Sequence, residues 1–332
     1  RVDILERLDD GAWGLGEALR GCGHDVVYSV PTKLVPEGDE YDELRRLSFD
    51  PQDLHATILK AQPDPLLLEQ LAFATHLPEM SLPVIIDLHG SLILENAFRR
   101  HRNWTSNAAA KIKALRRADL VTCPGDRQLS YFMPWLMMSG AHPMELPLEV
   151  VPGSMPSEQP ERTANTEGPL QVVYGGQLWP WIQPRAGLEA ATTVLEELGE
   201  GTLRLFVNAP EQQDVLPYDD STRVPAWHLP SRVLESEVVK SEGMVSREEM
   251  IKHYGEAHLA VDLYGWNTER ELAFTTRTVE YLWCGLPVVY ANHGELADPP
   301  RAADARGAVD PADPHAPPTP PPRACRTATS RS

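Results

Sequence analysis

Short, nearly unbroken apolar runs alternate with helix-patterned stretches, and they do so twice along this chain. In the first half, residues 2–5 and the runs HDVVYSV, PVIIDLHG and ADLVTCPG are strand candidates, while residues 13–20, 65–75 and 108–117 carry apolar residues at helical spacing. Strands buried on both faces read as continuous apolar runs, and parallel neighbours need long, usually helical, crossovers. The pattern therefore predicts an α/β architecture built on a doubly wound parallel sheet. After a break it restarts. LQVVYGG, TLRLFVN, HLAVDLY and GLPVVYA are strands, and residues 186–198, 247–257 and 275–283 are helices.

The break covers residues 151–169, rich in Pro, Ser, Glu, Thr and Gly, which reads as a linker. It separates an expected α/β domain at 1–150 from a second at 170–298. Two cores suit 332 residues better than one. From Pro299 the composition turns to Pro, Ala, Arg, Asp and Thr, which cannot bury a core, so residues 299–332 are expected to be a disordered tail.

The formal charge of −18, from 48 acidic and 30 basic residues, argues against a broad nucleic-acid interface, which needs a basic stripe to displace counterions. A local basic group, Arg99, Arg100, Arg102, Lys111, Lys113, Arg116 and Arg117, reads as a solvated helix face in preference to a contact with phosphate or lipid headgroups. The four cysteines are far apart and form no CxxC pair, no apolar run reaches 18 residues, and the start lacks signal-peptide order. These features lead us to expect a cytoplasmic chain with no transmembrane segment and with small buried thiols. There is no DxD between strands, no HExxH, no GxSxG and no GxxxxGK[ST], so metal-free chemistry without a cofactor is expected.

In open α/β sheets ligands bind beyond the carboxyl ends of the strands. Those ends carry Asp87, His89 and Gly90 in the first half, and Gly175, Gly176, Asn208, Tyr264, Gly265, Asn292 and His293 in the second. Thr275 and Thr276 can cap the helix that begins there, leaving amide N–H groups and a positive dipole end for an anion such as a diphosphate. Gly175 and Gly176 permit close backbone approach. Arg277, one residue into the helix, either pairs with phosphate or forms a surface ion pair with Glu280. Trp179 and Trp181, flanking Pro180, either offer flat faces to a sugar or base or pack the loop onto its helix.

The order EVVPGSMP, VVYGGQLWPWIQP, EGMVSREEMIKHYGEAHLAVDLY and then a glutamate separated by ten residues from EYLWCGLPVV resembles the carboxyl-terminal domain of retaining GT-B glycosyltransferases of the large family 4 group. The likeness covers residues 148–298 and is nearest to a bacterial subgroup with a two-tryptophan loop. GHDVVYSVP and IIDLHG resemble the acceptor domain more loosely. The resemblance implies two facing doubly wound, Rossmann-like domains with a cleft between them. It also implies a nucleotide-diphosphate sugar held by the second domain, and a sugar, lipid or small-molecule acceptor held by the first.

On this resemblance Glu280 accepts from the ribose hydroxyls, Glu269 contacts the donor sugar, and His89 lies near the reacting sugar. Thr276, Arg277, Gly175, Gly176 and Gln177 line the diphosphate. The position expected for the first glutamate is Leu272, so Glu269 is chosen over Glu271, against the competing reading of residues 269–271 as a solvated charge cluster. Gln177 and Ile182 stand where the family has an arginine and a lysine, which leaves Arg185, Arg270 and Arg277 as replacement cations for the leaving group. Two further readings share the fold: a sugar-nucleotide epimerase or phosphorylase, and a non-catalytic subunit that binds nucleotide sugar.

Overall fold

The computed structural model describes residues 2–5, 10–35, 37–38, 41–69, 71–98, 103–153, 155–165, 167–207, 229–297 and 306–309. The chain divides into two compact units, Arg1–Ser157 with Leu272–Phe274, and Glu158–Glu271 with Thr275–Ser332.

In the first unit the order is β1 (Val2–Leu5), α1 (Asp10–Gly21), β2 (Val26–Ser29), α2 (Asp42–Arg46), α3 (Leu54–Ala61), β3 (Leu66–Leu68) and α4 (Leu71–Ala74). There follow β4 (Val84–Asp87), α5 (Leu92–Phe98), α6 (Trp104–Leu115), β5 (Leu120–Cys123), α7 (Asp126–Ser139) and β6 (Leu148–Val150). The strands form one six-stranded sheet ordered β2-β1-β3-β4-β5-β6, every pair parallel. Its core gathers Leu66, Leu68, Ile86 and Val121 with Phe132, Leu136, Ala114 and Leu115 of the covering helices.

The second unit contains β7 (Gln171–Gly175), α8 (Arg185–Leu198), β8 (Thr202–Phe206), α9 (Ser231–Leu234), β9 (Val239–Ser241) and α10 (Arg247–Glu256). It continues with β10 (Leu259–Asp262), α11 (Thr268–Leu272), α12 (Thr276–Trp283), β11 (Val288–Ala291) and β12 (Arg306–Val309). Its sheet is ordered β12-β11-β10-β7-β8-β9, again parallel throughout. Two separate cores cover its faces, one around Leu188, Leu203 and Leu205, the other around Phe206, Tyr254, Tyr281 and Leu286. The doubly wound parallel α/β class read from the sequence is what the structure shows.

Three local expectations are corrected. Residues 65–75 are not one helix: Leu66, Leu67 and Leu68 form a central strand, all 4% exposed or less, because a sheet covered on both faces buries every strand residue. Residues 306–309, assigned to a disordered tail, form β12 and pair with β11 from Val288↔Arg306 to Ala291↔Val309. A four-residue edge strand needs ladder partners more than an apolar core, and the bulk composition around it hides that. Lys111, assigned to a solvated face, is 2% exposed, with its Nζ over the rings of Tyr131, Phe132 and Trp135 at 4.4, 4.6 and 4.6 Å. Arg99, Arg100 and Arg102 of that group, and Asn208, lie outside the described residues. Among the described residues no helix is long and apolar enough to cross a membrane.

Candidate functional site

Strand order locates a site before any side chain is considered. From β7 the second sheet grows through β8 and β9 on one side and through β10, β11 and β12 on the other, so successive connections diverge at the β7/β10 boundary. Such a switch point opens a crevice at the carboxyl ends of the two strands. Gly175 ends β7 and Gly176 follows it, Asp262 ends β10, and α12 starts nearby with Arg277 in its first turn.

The Arg277 guanidinium lies directly on Gly176. A β-carbon built there would stand 2.7 Å from Arg277 Nη2, and the glycine's φ is +117°. Arg277 Nη1 donates to Asp262 Oδ1 at 3.3 Å, Thr278 Oγ1 donates to Asp262 Oδ2 at 2.6 Å, and the guanidinium carbon sits 4.7 Å from the Tyr174 ring centroid. Burial opposes the cation, but Tyr174 and the Asp262 carboxylate outweigh it and raise the arginine's pKa further. Arg277 is thus a fixed charge, paired through Asp262 and not through Glu280.

Helix α12 is N-capped by Thr275, yet the threonine side chain makes no capping hydrogen bond. Its hydroxyl lies 3.3 Å from the Tyr264 hydroxyl and 3.1 Å from that of Tyr290. First-turn N–H groups, Thr276 and Arg277 among them, have no intrahelical acceptor, which is the arrangement that can receive an anion.

The two glycines act differently from expectation. The Gly175 N–H donates to the Tyr281 hydroxyl at 2.9 Å and the Gly176 N–H to the Phe206 carbonyl at 2.9 Å, so neither amide is available to cradle a phosphate. Gly176 supplies a floor without a side chain, against which Arg277 packs, whereas Gly175 leaves room for the Tyr254 hydroxyl and Met250. Gln177, next in the loop, is half-buried, whereas Ile182 is buried at 6% exposure, so that position brings no polar group to the surface.

Glu269 is 2% exposed and both its oxygens accept from Arg270, at 2.6 Å from Nε and 2.9 Å from Nη2. Residues 269 and 270 are therefore a buried ion pair rather than a solvated cluster, and Arg270 is committed to it. Arg185, the third replacement cation, is exposed on the first turn of α8. Glu280 lies one turn beyond Arg277, with Oε1 3.4 Å from Arg247 Nε at the start of α10. Trp179 and Trp181 stack on each other, centroids 5.2 Å apart and planes 3° apart, and Trp181 is 5% exposed. Loop packing takes one of the two tryptophans outright.

The first unit carries its own strand-end cluster. Its sheet switches direction at β1/β3, and Glu69 follows β3, Asp87 ends β4, and His89 lies two residues on. His89 Nε2 is 2.9 Å from Asp87 Oδ2 and 3.7 Å from Glu69 Oε1, with both carboxylates buried. Burial of the ring works against its protonation, but hydrogen bonds and charge from Asp87 and Glu69 prevail and raise the His89 pKa well above the usual value. Burial likewise pushes Asp87 up, and His89 and Thr122 more than offset it, leaving the carboxyl below its ordinary range. The Gln128 amide, buried on the first turn of α7, donates to the His89 carbonyl at 3.4 Å. The carboxylate and imidazole atoms lie within 4.8 Å of one another, so this is the one group among the described residues with the spacing of a metal-ligand set.

Sequence reasoning missed Glu69, Asp262, Arg247 and Tyr281. Two of them carried a signal: Asp262 interrupts the apolar run HLAVDLY, and Glu69 directly follows LLL, so each is an acid where a buried strand should be apolar.

No family model matches the chain, and no curated protein matches it. Solved structures do. A sucrose-phosphate synthase from Thermosynechococcus elongatus superposes with a TM-score of 0.62 at 15% identity, covering 94% of this chain and 86% of that one. An alpha-glucosyltransferase, solved with UDP and a DNA 13-mer, gives 0.59 at 12% identity over 95% and 87%, and OtsA in its apo form gives 0.59 at 11% over 94% and 88%. At these identities the likeness is one of fold, and the fold of this chain is the GT-B fold of glycosyltransferases.

Proposed function

We propose that this protein is a glycosyltransferase, family 4-like and retaining, that moves a sugar from a nucleoside-diphosphate donor to an acceptor without a metal ion. The observation that carries the reading is the Arg277 guanidinium on the Gly176 floor at the uncapped start of α12. A diphosphate leaving group gains negative charge as its bond to the sugar breaks. A fixed guanidinium and helix N–H groups aimed at that charge stabilise the transition state more than the ground state.

In this reading Arg277 and the first-turn amides of α12, Thr276 included, hold the diphosphate, with Gln177 beside it. Glu280, oriented by Arg247, accepts from the ribose hydroxyls. Glu269 acts by holding Arg270 rather than by touching sugar. His89, held by Asp87 and Glu69, serves the acceptor side as a hydrogen-bond donor in its charged form. The loss of loop cations at Gln177 and Ile182 also supports a second reading, a subunit that binds nucleotide sugar without turning it over.

Calorimetric titration with UDP, GDP and dTDP, in chelator and again with magnesium, tests the donor site. One nucleotide should bind equally in both, and Glu280→Ala should weaken it about tenfold, roughly 1.4 kcal/mol. Binding that needs magnesium would refute the metal-free part, and no binding at all would refute the donor site. Hydrolysis or transfer from the cognate sugar nucleotide separates the enzyme from the silent subunit.

A further inference from the structure

Trp266 lies in the loop between β10 and α11, four residues after Asp262, on the same sheet end as Arg277. Its indole is 65% exposed, yet it is not loose. Nε1 donates to Glu271 Oε2 at 3.0 Å, which fixes the ring by its edge. Both flanking residues are tied down. The Gly265 N–H donates to the Gln183 carbonyl at 3.2 Å, and Asn267 Nδ2 donates to the Trp181 carbonyl at 2.9 Å while its Oδ1 accepts from the Arg270 N–H at 3.0 Å. The loop after β10 is thereby laced to the two-tryptophan loop after β7, across the switch point.

Folding alone does not call for this arrangement. A tryptophan face held in water forfeits burial worth about 25 cal/mol per Å², and four hydrogen bonds, one to the ring and three to its neighbours, keep it there. Rigid presentation lowers the ordering cost of whatever covers the ring. Trp179 and Trp181 are meanwhile stacked on each other, and Trp181 is buried, whereas Trp266 is exposed.

We propose that Trp266 is the platform on which the hexopyranose ring of the donor rests, an inference that takes the donor-site reading above as given. A pyranose presents an apolar patch of C–H groups, electropositive at hydrogen, that complements the negative face of an indole. The Glu271 carboxylate at the indole edge is placed to accept from a hydroxyl at the rim of the same sugar. On this proposal the sugar, and not the nucleoside diphosphate, is what meets these two groups.

The test compares wild type, Trp266→Ala and Trp266→Phe by calorimetry, using UDP, GDP and dTDP each beside its glucose or mannose conjugate. All three proteins should bind the free nucleotide alike. Trp266→Ala should lose about tenfold in affinity for the conjugate, and Trp266→Phe, which keeps a flat face, less than half as much on a logarithmic scale. Equal changes for nucleotide and conjugate, or none for the conjugate, overturn the platform while leaving the donor site intact. Failure of wild type to bind any of the nucleotides overturns both.

Discussion

A methyl group at Gly176 would meet the Arg277 guanidinium at 2.7–3.0 Å on a backbone of φ +117°, so this residue sets where the cation stands. Gly176→Ala should cost about 1–3 kcal/mol in urea unfolding and lower nucleotide affinity by at least about tenfold, because the arginine must swing off its floor. Gly199→Ala is the control. Its φ is +69° and nothing lies within 4 Å of the added carbon, so it should lose stability but no affinity. Equal affinity losses would mean that the first variant acts through general destabilisation. At this scale the sequence pointed to Gly176, Arg277 and Glu280 but not to the partners that the structure gives them. Arg277 of α12 meets Asp262 at the end of β10 because the chain after β10 folds back over that strand's end, and such a return is not written in local spacing. The closing of Glu269 on its own neighbour Arg270, and of Trp179 on Trp181, depends on loop conformations that composition does not encode.

Among the elements, the parallel strands were legible because a strand buried on both faces must be apolar at every position. The same rule, applied to residues 65–75, should have favoured a strand at LLL, where proline at 63 and 65 excludes a helix start further upstream. Helix α7 is not legible in the sequence because Pro134 interrupts its pattern, although Gly140, at φ +104°, closes it as a left-handed cap. Helix α10 was legible and bears on the site through its first residue. Ser246 and Glu249 form a capping box that holds the turn carrying Arg247 against Glu280. Ser246→Ala should therefore cost about 1 kcal/mol in stability. It should also weaken nucleotide binding by less than Glu280→Ala does, since it loosens the glutamate proposed to hold the ribose without removing it. An effect on binding as large as that of Glu280→Ala would place Arg247 itself on the ligand.

For the molecule as a whole, two charged groups in the first unit impose opposite pH slopes on stability. The His89 pKa is raised above its unfolded value, so its contribution is complete below about 6.5 and is lost as pH rises through the folded value. With the ring 42% exposed, solvent screens part of that effect. Lys111 is the reverse case. Burial pushes it down to about 7, only partly opposed by the charge of Glu95, so the folded state holds fewer protons than the unfolded one from about pH 7 to 10.5 and stability should climb through that interval. The surrounding rings return about 2 kcal/mol to the ammonium as cation–π attraction, less than the several kcal/mol that its desolvation costs. Methionine has similar length and makes favourable sulfur–aromatic contacts. Lys111→Met should thus stabilise the protein at pH 7 by roughly 1–3 kcal/mol and abolish the alkaline climb, exposing the decline that His89 causes. His89→Gln should leave the climb and remove the decline. Urea midpoints of the three proteins from pH 5 to 10 decide the matter: a loss of stability in Lys111→Met at pH 7 would show that the aromatic cage holds a charged lysine, with attraction to the rings exceeding the desolvation cost.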